Sequence, residues 1–246
     1  MINGRTVLVV MPAYNAARTV CETREAIPDS VDEILLVDDG SSDDTLEVAR
    51  RLGIHTISLP HNVGYGGNQK VCYLEALRLE SDVVVMLHPD GQYDPVLLPH
   101  LVAPIVDKEA DLVLGSRMME PGAARRGGMP LYRFVANKAL TKVENVALNR
   151  HFSELHTGYR AYSKQFLETV PFMRNSDNFV FDTQVIAQAI AFNQRVVEVP
   201  IHTRYHAEAS STSMRANIVY GAATLATMLQ WKLHESGAVR SRLFVH

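Results

Sequence analysis

The first half of the chain alternates short apolar, β-branched segments with longer segments of helical pattern. The apolar segments predict five strands, at 6–10, 33–37, 55–59, 83–87 and 112–114. The segments between them predict helices at 18–26, 45–52, 68–79 and 95–106. Strands this short and this apolar are typical of a parallel sheet buried on both faces, and the helices supply the covering layers. The sequence therefore predicts an α/β fold with a Rossmann-like, doubly wound, mostly parallel sheet.

The second half of the chain has a different pattern and predicts an accessory layer. Residues 131–160 are amphipathic and then loop-like, and the glycine- and arginine-rich stretch 121–130 predicts a mobile loop. Further on, the pattern predicts a helix at 179–192 and a strand at 196–199. We expect one domain over 1–215, with a nucleotide-binding half at about 1–117 and an acceptor half at about 118–215. An amphipathic or apolar helical tail over 216–246 completes the expected organisation.

Composition excludes several classes of protein. The 246 residues are 47% hydrophobic, which suits a large folded core. Because 24 basic residues face 27 acidic ones, no global field attracts nucleic acid. The two cysteines do not form a disulfide framework and no leader precedes the first strand, so we expect a cytoplasmic protein.

The tail is the one segment that points to a membrane. Its apolar run, 216–231, is shorter than the ~18–20 residues that a bilayer span needs. A basic end follows that run, which is consistent with peripheral contact at the inner face of a membrane. The alternative is that the tail packs onto the catalytic domain or onto a second subunit, and its lack of a polar face favours burial in protein.

Polar residues follow each predicted strand, at the edge of the sheet where ligands of this fold class bind. Asp38 and Asp39 end the second strand. A carboxylate there can accept hydrogen bonds from a ribose or a base, and Asp39 is the better placed of the two. The alternative is a turn followed by a helix cap, since Asp and Ser favour both.

A glycine-rich segment, 64–70, follows the third predicted strand. Its spacing and position differ from the dinucleotide fingerprint, which disfavours a nicotinamide enzyme. Glycines such as Gly67 would let the backbone approach a ligand closely, and Lys70 in the first turn of the next helix would reach a phosphate. The alternative is a tight loop with a solvated lysine.

An acidic turn follows the fourth predicted strand and carries the sharpest signal. Asp90, with His88 or Gln92, offers ligands that suit Mg²⁺ or Mn²⁺. Such an ion would neutralise a departing diphosphate by Lewis-acid catalysis. For His88 the alternative is a strand-end histidine without a ligand role. Asp94 and Pro95 are better explained as a helix cap.

The strand-end motifs, taken together and in order, resemble the inverting family 2 glycosyltransferases of GT-A fold, in the branch that contains dolichol-phosphate mannose synthase. The resemblance covers about residues 6–215. Seven segments carry it: Met11-Pro12-Ala13-Tyr14-Asn15, Val37-Asp38-Asp39-Gly40-Ser41-Ser42-Asp43, Asn62-Val63-Gly64-Tyr65-Gly66-Gly67-Asn68, Asp90-Gly91-Gln92, Gly115-Ser116-Arg117, Gly158-Tyr159-Arg160-Ala161 and Glu198-Val199-Pro200-Ile201. His88 departs from the family pattern, which has an aspartate at that position.

The resemblance implies a role for individual residues. Pro12, Ala13, Tyr14 and Asp39 are implied to line the nucleoside pocket. Together with the candidates argued from the residues, the full predicted nucleotide-sugar site is Pro12, Ala13, Tyr14, Asn15, Asp38, Asp39, Gly67, Lys70, Gln92 and Arg204. Asp90 is implied as the carboxylate for the metal and the diphosphate, with Gln92 beside it. Arg117 lies where this branch binds an acceptor phosphate, and Arg133 is a second candidate for that contact.

Two further segments match the family less closely. Asp182 lies near the position of the catalytic carboxylate in relatives that use hydroxyl acceptors, and the alternative is an acidic residue that complements a helix dipole. Arg204 and His206 fall in a loop that in relatives closes over the donor diphosphate. The lysine expected after Ser210 and Ser211 is absent.

The sequence therefore predicts a hexosyltransferase of cell-envelope glycan biosynthesis. Its donor is a UDP- or GDP-sugar, its cofactor Mg²⁺ or Mn²⁺, and its acceptor a polyprenyl phosphate or a hydroxyl group. An acceptor hydroxyl needs a general base, whereas an acceptor phosphate does not. The alternatives are a catalytically silent nucleotide-sugar-binding module and a sugar nucleotidyltransferase. The sequence makes no prediction about oligomeric state.

Overall fold

A computed structural model of the protein describes residues 1–203 and 214–245, with the side chain of Met214 excepted. The strands are β1 Val7–Ala13, β2 Glu33–Asp38, β3 His55–Ser58, β4 Val83–Met86, β5 Leu112–Ser116, β6 Arg160–Ser163 and β7 Val196–Pro200. The helices are α1 Val20–Ala26, α2 Thr45–Arg51, α3 Tyr65–Arg78, α4 Leu98–Val106, α5 Ala123–Arg126, α6 Leu131–Leu148, α7 Lys164–Thr169, α8 Phe181–Ala191 and α9 Met214–Glu235. Two short 3₁₀ turns span Pro95–Leu97 and Phe172–Arg174.

The strands form a seven-stranded sheet in the order β3-β2-β1-β4-β6-β5-β7. All neighbours pair in parallel except β6, which runs antiparallel to both β4 and β5. The predicted α/β fold with a mostly parallel sheet is confirmed. The prediction, which gave a loop-like pattern at the end of 131–160, missed β6, because Arg160 and Ser163 at its two ends leave only Ala161 and Tyr162 of the apolar run expected of a central strand.

Side chains of β1 show how the sheet divides the core. Val7, Val9 and Met11 belong to one buried cluster, whereas Leu8 and Val10 belong to the other. This alternation follows from the two-residue period of a strand, which sends successive side chains to opposite faces. The first cluster includes residues of α1 and α4, and the second includes residues of α3 and α8. The strand ends are thereby held rigidly at one edge of the sheet.

Helix α9 packs against α6 and α8 with an unusual distribution of side chains. Thr224, Thr227 and Trp231 are buried, and the indole Nε1 of Trp231 donates to the carbonyl of Ala147 over 3.2 Å. Ile218, at 66% exposure, and other apolar residues (Val219, Leu225 and Leu229) lie on the outer face. Helix α9 covers part of the segment predicted as a helical tail and ends at Glu235, and its outer apolar face is exposed. No helix in the described part of the chain is long and apolar enough to cross a bilayer.

The stretch 121–130, predicted as a loop, contains the short helix α5. Ala123, Ala124 and Met129 are buried there, and the guanidinium of Arg125 donates to the carbonyl of Met129. These contacts place the segment against the start of α6, beside the cleft described next.

Candidate active site

A cleft of about 780 Å³ opens at the carboxyl ends of β1, β2 and β4. Because β6 is antiparallel, its N-terminal end lies at the same edge, and Gly158 and Thr157 line the cleft beside the end of β4. The first half of α6, the first turns of α9 and the segment from Asn178 to Asp182 also line the cleft. Ligands of doubly wound sheets bind at this edge, so the fold supports the predicted location of the site.

Four of the residues predicted for the nucleoside pocket lie together in the cleft. Pro12, Ala13, Tyr14 and Asp39 all line it. The backbone N–H of Asp39 donates to the carbonyl of Ala13 over 2.8 Å, which ties the two strand ends together. The Asp39 carboxylate accepts from the N–H of Val63 over 2.7 Å, and burial raises its pKa. This carboxylate is therefore held in a fixed position at the wall of the cleft.

Asn15 and Asp38, also predicted for the pocket, shape its supporting loops and do not line it. Asn15 has a positive φ of 53°, and its side-chain oxygen accepts from the N–H of Ser42 over 2.9 Å. Asp38 is buried at the end of β2 and accepts from the N–H of Ser41 at 3.3 Å. Direct contact of either side chain with a ligand stays a prediction.

The structure contradicts the predicted phosphate contact of Lys70 and the predicted close approach of a ligand to Gly67. The Lys70 ammonium is buried away from the cleft, where it donates to the carbonyl of Asn175 over 2.5 Å and to the Asp177 carboxylate over 2.6 Å. The N–H groups of Gly66 and Gly67 donate to the carbonyl of Asp177 over 2.8 and 3.3 Å. The glycines leave room for the protein segment at Asp177, and Lys70 pairs with that segment instead of with a phosphate.

The predicted metal ligands His88, Asp90 and Gln92 all line the cleft just after β4. The N–H of Gln92 donates to the Asp90 carboxylate over 3.0 Å. Burial raises the pKa of Asp90 and lowers that of His88. Residues 1–203 and 214–245 contain no group of three or more His, Cys, Asp or Glu side chains suited to a metal. Among the described residues, the turn after β4 offers one carboxylate, one imidazole and one amide.

Asp182, the candidate catalytic base, lies at the cleft wall with both oxygens engaged. Oδ2 accepts from the hydroxyl of Tyr65 over 2.8 Å. Oδ1 accepts from Gln69 Nε2 and from Arg160 Nη1, each over 3.2 Å. Arg160 is fully buried, so this carboxylate balances a charge that water does not reach. Arg160 and Tyr65 lie in motifs that carried the resemblance, but no local pattern indicates that they meet Asp182.

The two arginines predicted to bind an acceptor differ in their surroundings. Arg117 lines the cleft but is buried against the Glu154 carboxylate, which accepts from its backbone N–H over 2.7 Å and from its guanidinium. Arg133 lies on α6, and its Nε donates to the hydroxyl of Tyr132 over 3.2 Å. Within the described residues Arg133 has no acidic partner. Sequence reasoning missed Glu154, which balances the charge of Arg117. The charge of Arg133 is left at the cleft. Arg204 and His206 lie outside the described residues.

Comparison with known proteins agrees with this geometry. Residues 8–170 match the Glycosyl transferase family 2. The chain belongs to this family. It is a glycosyltransferase, and the alternatives of a silent binding module and a sugar nucleotidyltransferase are set aside.

Relatives of this glycosyltransferase include enzymes that act on lipid phosphates. The chain is 28% identical over 223 residues to an undecaprenyl-phosphate mannosyltransferase of Micrococcus luteus, which covers 87% of this chain and 89% of that protein. It is 31% identical over 205 residues to a polyprenol monophosphomannose synthase of Mycolicibacterium smegmatis, covering 79% and 76% of the two chains. A similar fold is found in glucosyl-3-phosphoglycerate synthase of Mycobacterium tuberculosis, solved with Mn²⁺, UDP and glucosyl-3-phosphoglycerate. That likeness has a TM-score of 0.67 at 22% identity and covers 93% of this chain and 80% of the other.

Proposed function

We propose that this glycosyltransferase moves a hexose from a UDP- or GDP-sugar to a phosphate oxygen of a polyprenyl phosphate. The observation that carries the choice of acceptor is the pairing of Asp182. A hydroxyl acceptor must lose a proton to a base during attack, whereas a phosphate oxygen already carries negative charge. The carboxylate available for such a base accepts three hydrogen bonds, one of them from a buried guanidinium.

The donor's nucleoside occupies the pocket formed by the ends of β1 and β2. Asp39 accepts hydrogen bonds from the ribose or base, and the segment from Pro12 to Tyr14 forms the wall beside it. The diphosphate then lies toward the end of β4, where Asp90 and His88 line the same cleft. This order places the sugar between the nucleoside pocket and the mouth formed by α6 and α9.

The donor set after β4 fits a divalent cation that takes most of its ligands from the donor. Mg²⁺ is typically bound through one or two carboxylates plus substrate phosphates, and imidazole suits Mn²⁺. Asp90 is the carboxylate, with His88 and Gln92 beside it. When bound, Mg²⁺ or Mn²⁺ stabilises the charge that develops on the departing diphosphate. The presence of Mn²⁺ and UDP in the solved relative supports this assignment.

The acceptor enters at the mouth of the cleft, beside Arg133. Its phosphate oxygen attacks the anomeric carbon while the bond from that carbon to the diphosphate oxygen breaks, which inverts the configuration. The Arg133 guanidinium attracts the acceptor phosphate. Arg117 orients the adjoining wall, since one of its guanidinium nitrogens donates to the carbonyl of His156 over 2.6 Å.

Apolar side chains around the mouth suit a lipid acceptor. On α6, Leu131, Tyr132 and Val135 are 52–61% exposed, and on α9 Ile218 and Val219 are at least 60% exposed. Tyr132 and Ile218 also line the cleft itself. Contiguous exposed apolar residues beside a pocket are typical of lipid or membrane contact. The names of the two lipid-phosphate relatives support the same acceptor class.

The test compares polyprenyl phosphate with the matched polyprenol, which differs only in the phosphate. Each is incubated with a panel of UDP- and GDP-sugars, with and without Mn²⁺ or Mg²⁺, and release of nucleoside diphosphate is measured together with the glycolipid. We expect metal-dependent transfer to the phosphate and none to the alcohol. Transfer to polyprenol at a comparable rate would refute the acceptor class. With polyprenyl phosphate, Arg133→Ala is expected to raise the acceptor KM while leaving the donor KM unchanged.

A further inference from the structure

The position of protons around His88 can be deduced from its neighbours. The hydroxyl of Tyr65 lies 2.8 Å from Oδ2 of Asp182 and 3.2 Å from Nε2 of His88. A carboxylate only accepts, so the single phenolic proton is donated to Asp182. The lone pairs of the Tyr65 oxygen then remain for His88. Nε2 of His88 must therefore carry the proton in that contact, and in the neutral ring the lone pair is on Nδ1.

The carboxylate at the other end of this chain of hydrogen bonds is itself fixed. Its second oxygen accepts from Gln69 and from Arg160, as described above, and the Arg160 Nε also donates to the carbonyl of Thr157 over 2.7 Å. Because Arg160 is fully buried, the negative charge of Asp182 has a permanent partner. The direction of the Tyr65 hydroxyl is thus set by an ion pair and does not rotate freely.

Packing also fixes the plane of the His88 ring. The ring stacks on Tyr65 with centroids 5.4 Å apart and an interplanar angle of 22°, and Tyr65 contacts Phe179 at 4.7 Å. On another side lies Gly158, where an added Cβ would come within 2.9 Å of Cδ2 and Nε2 of His88. The N–H of Gly158 is held by the Tyr93 hydroxyl over 2.8 Å. Only a glycine leaves room for the ring in this orientation.

Nδ1 of His88 has no hydrogen-bond partner among the described residues. This nitrogen is also not fully enclosed by protein. It therefore opens to the cleft that His88 and Asp90 line together. In this family an aspartate is expected at the position of His88. A neutral imidazole replaces that carboxylate as a ligand only if the nitrogen facing the metal is unprotonated.

We infer that Tyr65 is a positioning residue which, held by Asp182, fixes His88 as the Nε2–H tautomer and presents the Nδ1 lone pair to the cleft as a ligand for the divalent cation. This inference rests on the proposed metal-dependent transfer. It assigns Tyr65 and Asp182 to support of the ligand rather than to proton transfer from the acceptor. It also explains how a histidine serves where a carboxylate is expected, since the supporting contacts come from three separate elements.

The test uses Tyr65→Phe, which removes the hydroxyl and keeps the ring stack. Long-range ¹H–¹⁵N spectra of the full chain labelled on histidine, at a pH where the ring is neutral, show which nitrogen carries the proton; His88→Gln identifies the signal. In parallel, binding of Mn²⁺ in the presence of UDP is titrated without any acceptor. The matched control is Tyr159→Phe, which removes a buried hydroxyl that has no partner in the described residues.

We expect the wild type to show the Nε2–H form alone and Tyr65→Phe to show a mixture of the two neutral forms, with Mn²⁺ affinity about 10–100-fold weaker, as is usual when a metal ligand loses its supporting hydrogen bond. Tyr159→Phe is expected to keep both properties. A wild-type signal from the Nδ1–H form would overturn the inference, as would unchanged Mn²⁺ affinity in Tyr65→Phe. Failure of the wild type to bind Mn²⁺ with UDP would instead refute the metal step of the proposed function, and the tautomer spectra distinguish the two failures.

Discussion

Replacement of Asp182 by asparagine separates a structural ion pair from a catalytic base. The substitution keeps the shape of the side chain and removes its charge, so the buried guanidinium of Arg160 loses its counterion. Removing one partner of a buried ion pair costs about 3–5 kcal/mol, because the other charge stays out of water. For a chain of this size each kcal/mol lowers the melting temperature by about 2–4 °C, so we expect a fall of roughly 6–20 °C.

The assay pairs thermal unfolding with transfer to polyprenyl phosphate, measured well below the melting temperature of the variant. Loss of a general base lowers the rate by about 10²–10⁴-fold. Loss of a hydrogen bond that supports a ligand acts through metal affinity, so saturating Mn²⁺ should restore much of the rate. We therefore expect a less stable enzyme whose turnover recovers with added metal.

A double-mutant cycle gives the control. Arg160→Gln alone leaves the Asp182 carboxylate uncompensated, and the double variant Arg160→Gln, Asp182→Asn leaves no buried charge. The double variant should be less destabilised than the sum of the single variants. The reasoning would be refuted by an Asp182→Asn protein that unfolds at the wild-type temperature and yet has lost transfer at every metal concentration, since that pattern identifies a base.

Two predictions concern stability elsewhere in the fold. Gly66→Ala should lower the free energy of unfolding by about 1–3 kcal/mol, because the new Cβ would overlap the backbone carbonyl oxygen of Ser176. The matched control in urea unfolding is Gly221→Ala, whose Cβ would lie 3.9 Å from its nearest neighbour. This control should be neutral or stabilising. Hydrogen bonds from Arg195 lower the pKa of Asp111 below its ordinary value of 3.8, so this pair stabilises the fold above that pH and the contribution is lost as the pH falls through the lowered pKa. In urea unfolding Asp111→Asn should therefore be about 1 kcal/mol less stable than the wild type near neutrality. The cost is small because the arginine is half exposed. The stability difference between the two proteins should disappear in acid.

Either result can contradict its argument directly. Equal stability of Gly66→Ala and Gly221→Ala would mean that the segment after Asn175 moves away at little cost. A stability difference for Asp111→Asn that stays constant from neutral to acidic pH would show that the loss is one of packing rather than of charge.

The sequence predicted those features that local pattern determines. Strands such as β1 and β2 are apolar runs bounded by polar turns, and the residues after them, among them Pro12, Asp39 and Asp90, lie at the cleft because parallel strands end at one edge. The pairing of Tyr65 with Asp182 was not predicted, since 117 positions separate the two residues. Lys70 shows the opposite failure: its position next to glycines favoured a phosphate, and a segment from the far half of the chain binds it instead.

Strand β6 escaped prediction for a related physical reason. A central strand is normally recognised by its apolar side chains, but Arg160 is tolerated there only because Asp182 on α8 neutralises it. A buried arginine in β6 therefore depends on α8, which only the folded structure brings beside it. The same is true of Arg117, whose pairing with Glu154 depends on a residue 37 positions away.

The antiparallel strand between β4 and β5 limits how this enzyme can be rearranged. It carries chain from the C-terminal half into the middle of the sheet, so a cut near residue 117 would leave β4 and β5 without the strand that joins them. Grafting the acceptor half of a relative onto this donor pocket would therefore replace a central strand and the glycine that seats His88, not an appended module. New acceptor specificity is more accessible through the exposed first turns of α6 and α9, which border the cleft without contributing to the sheet.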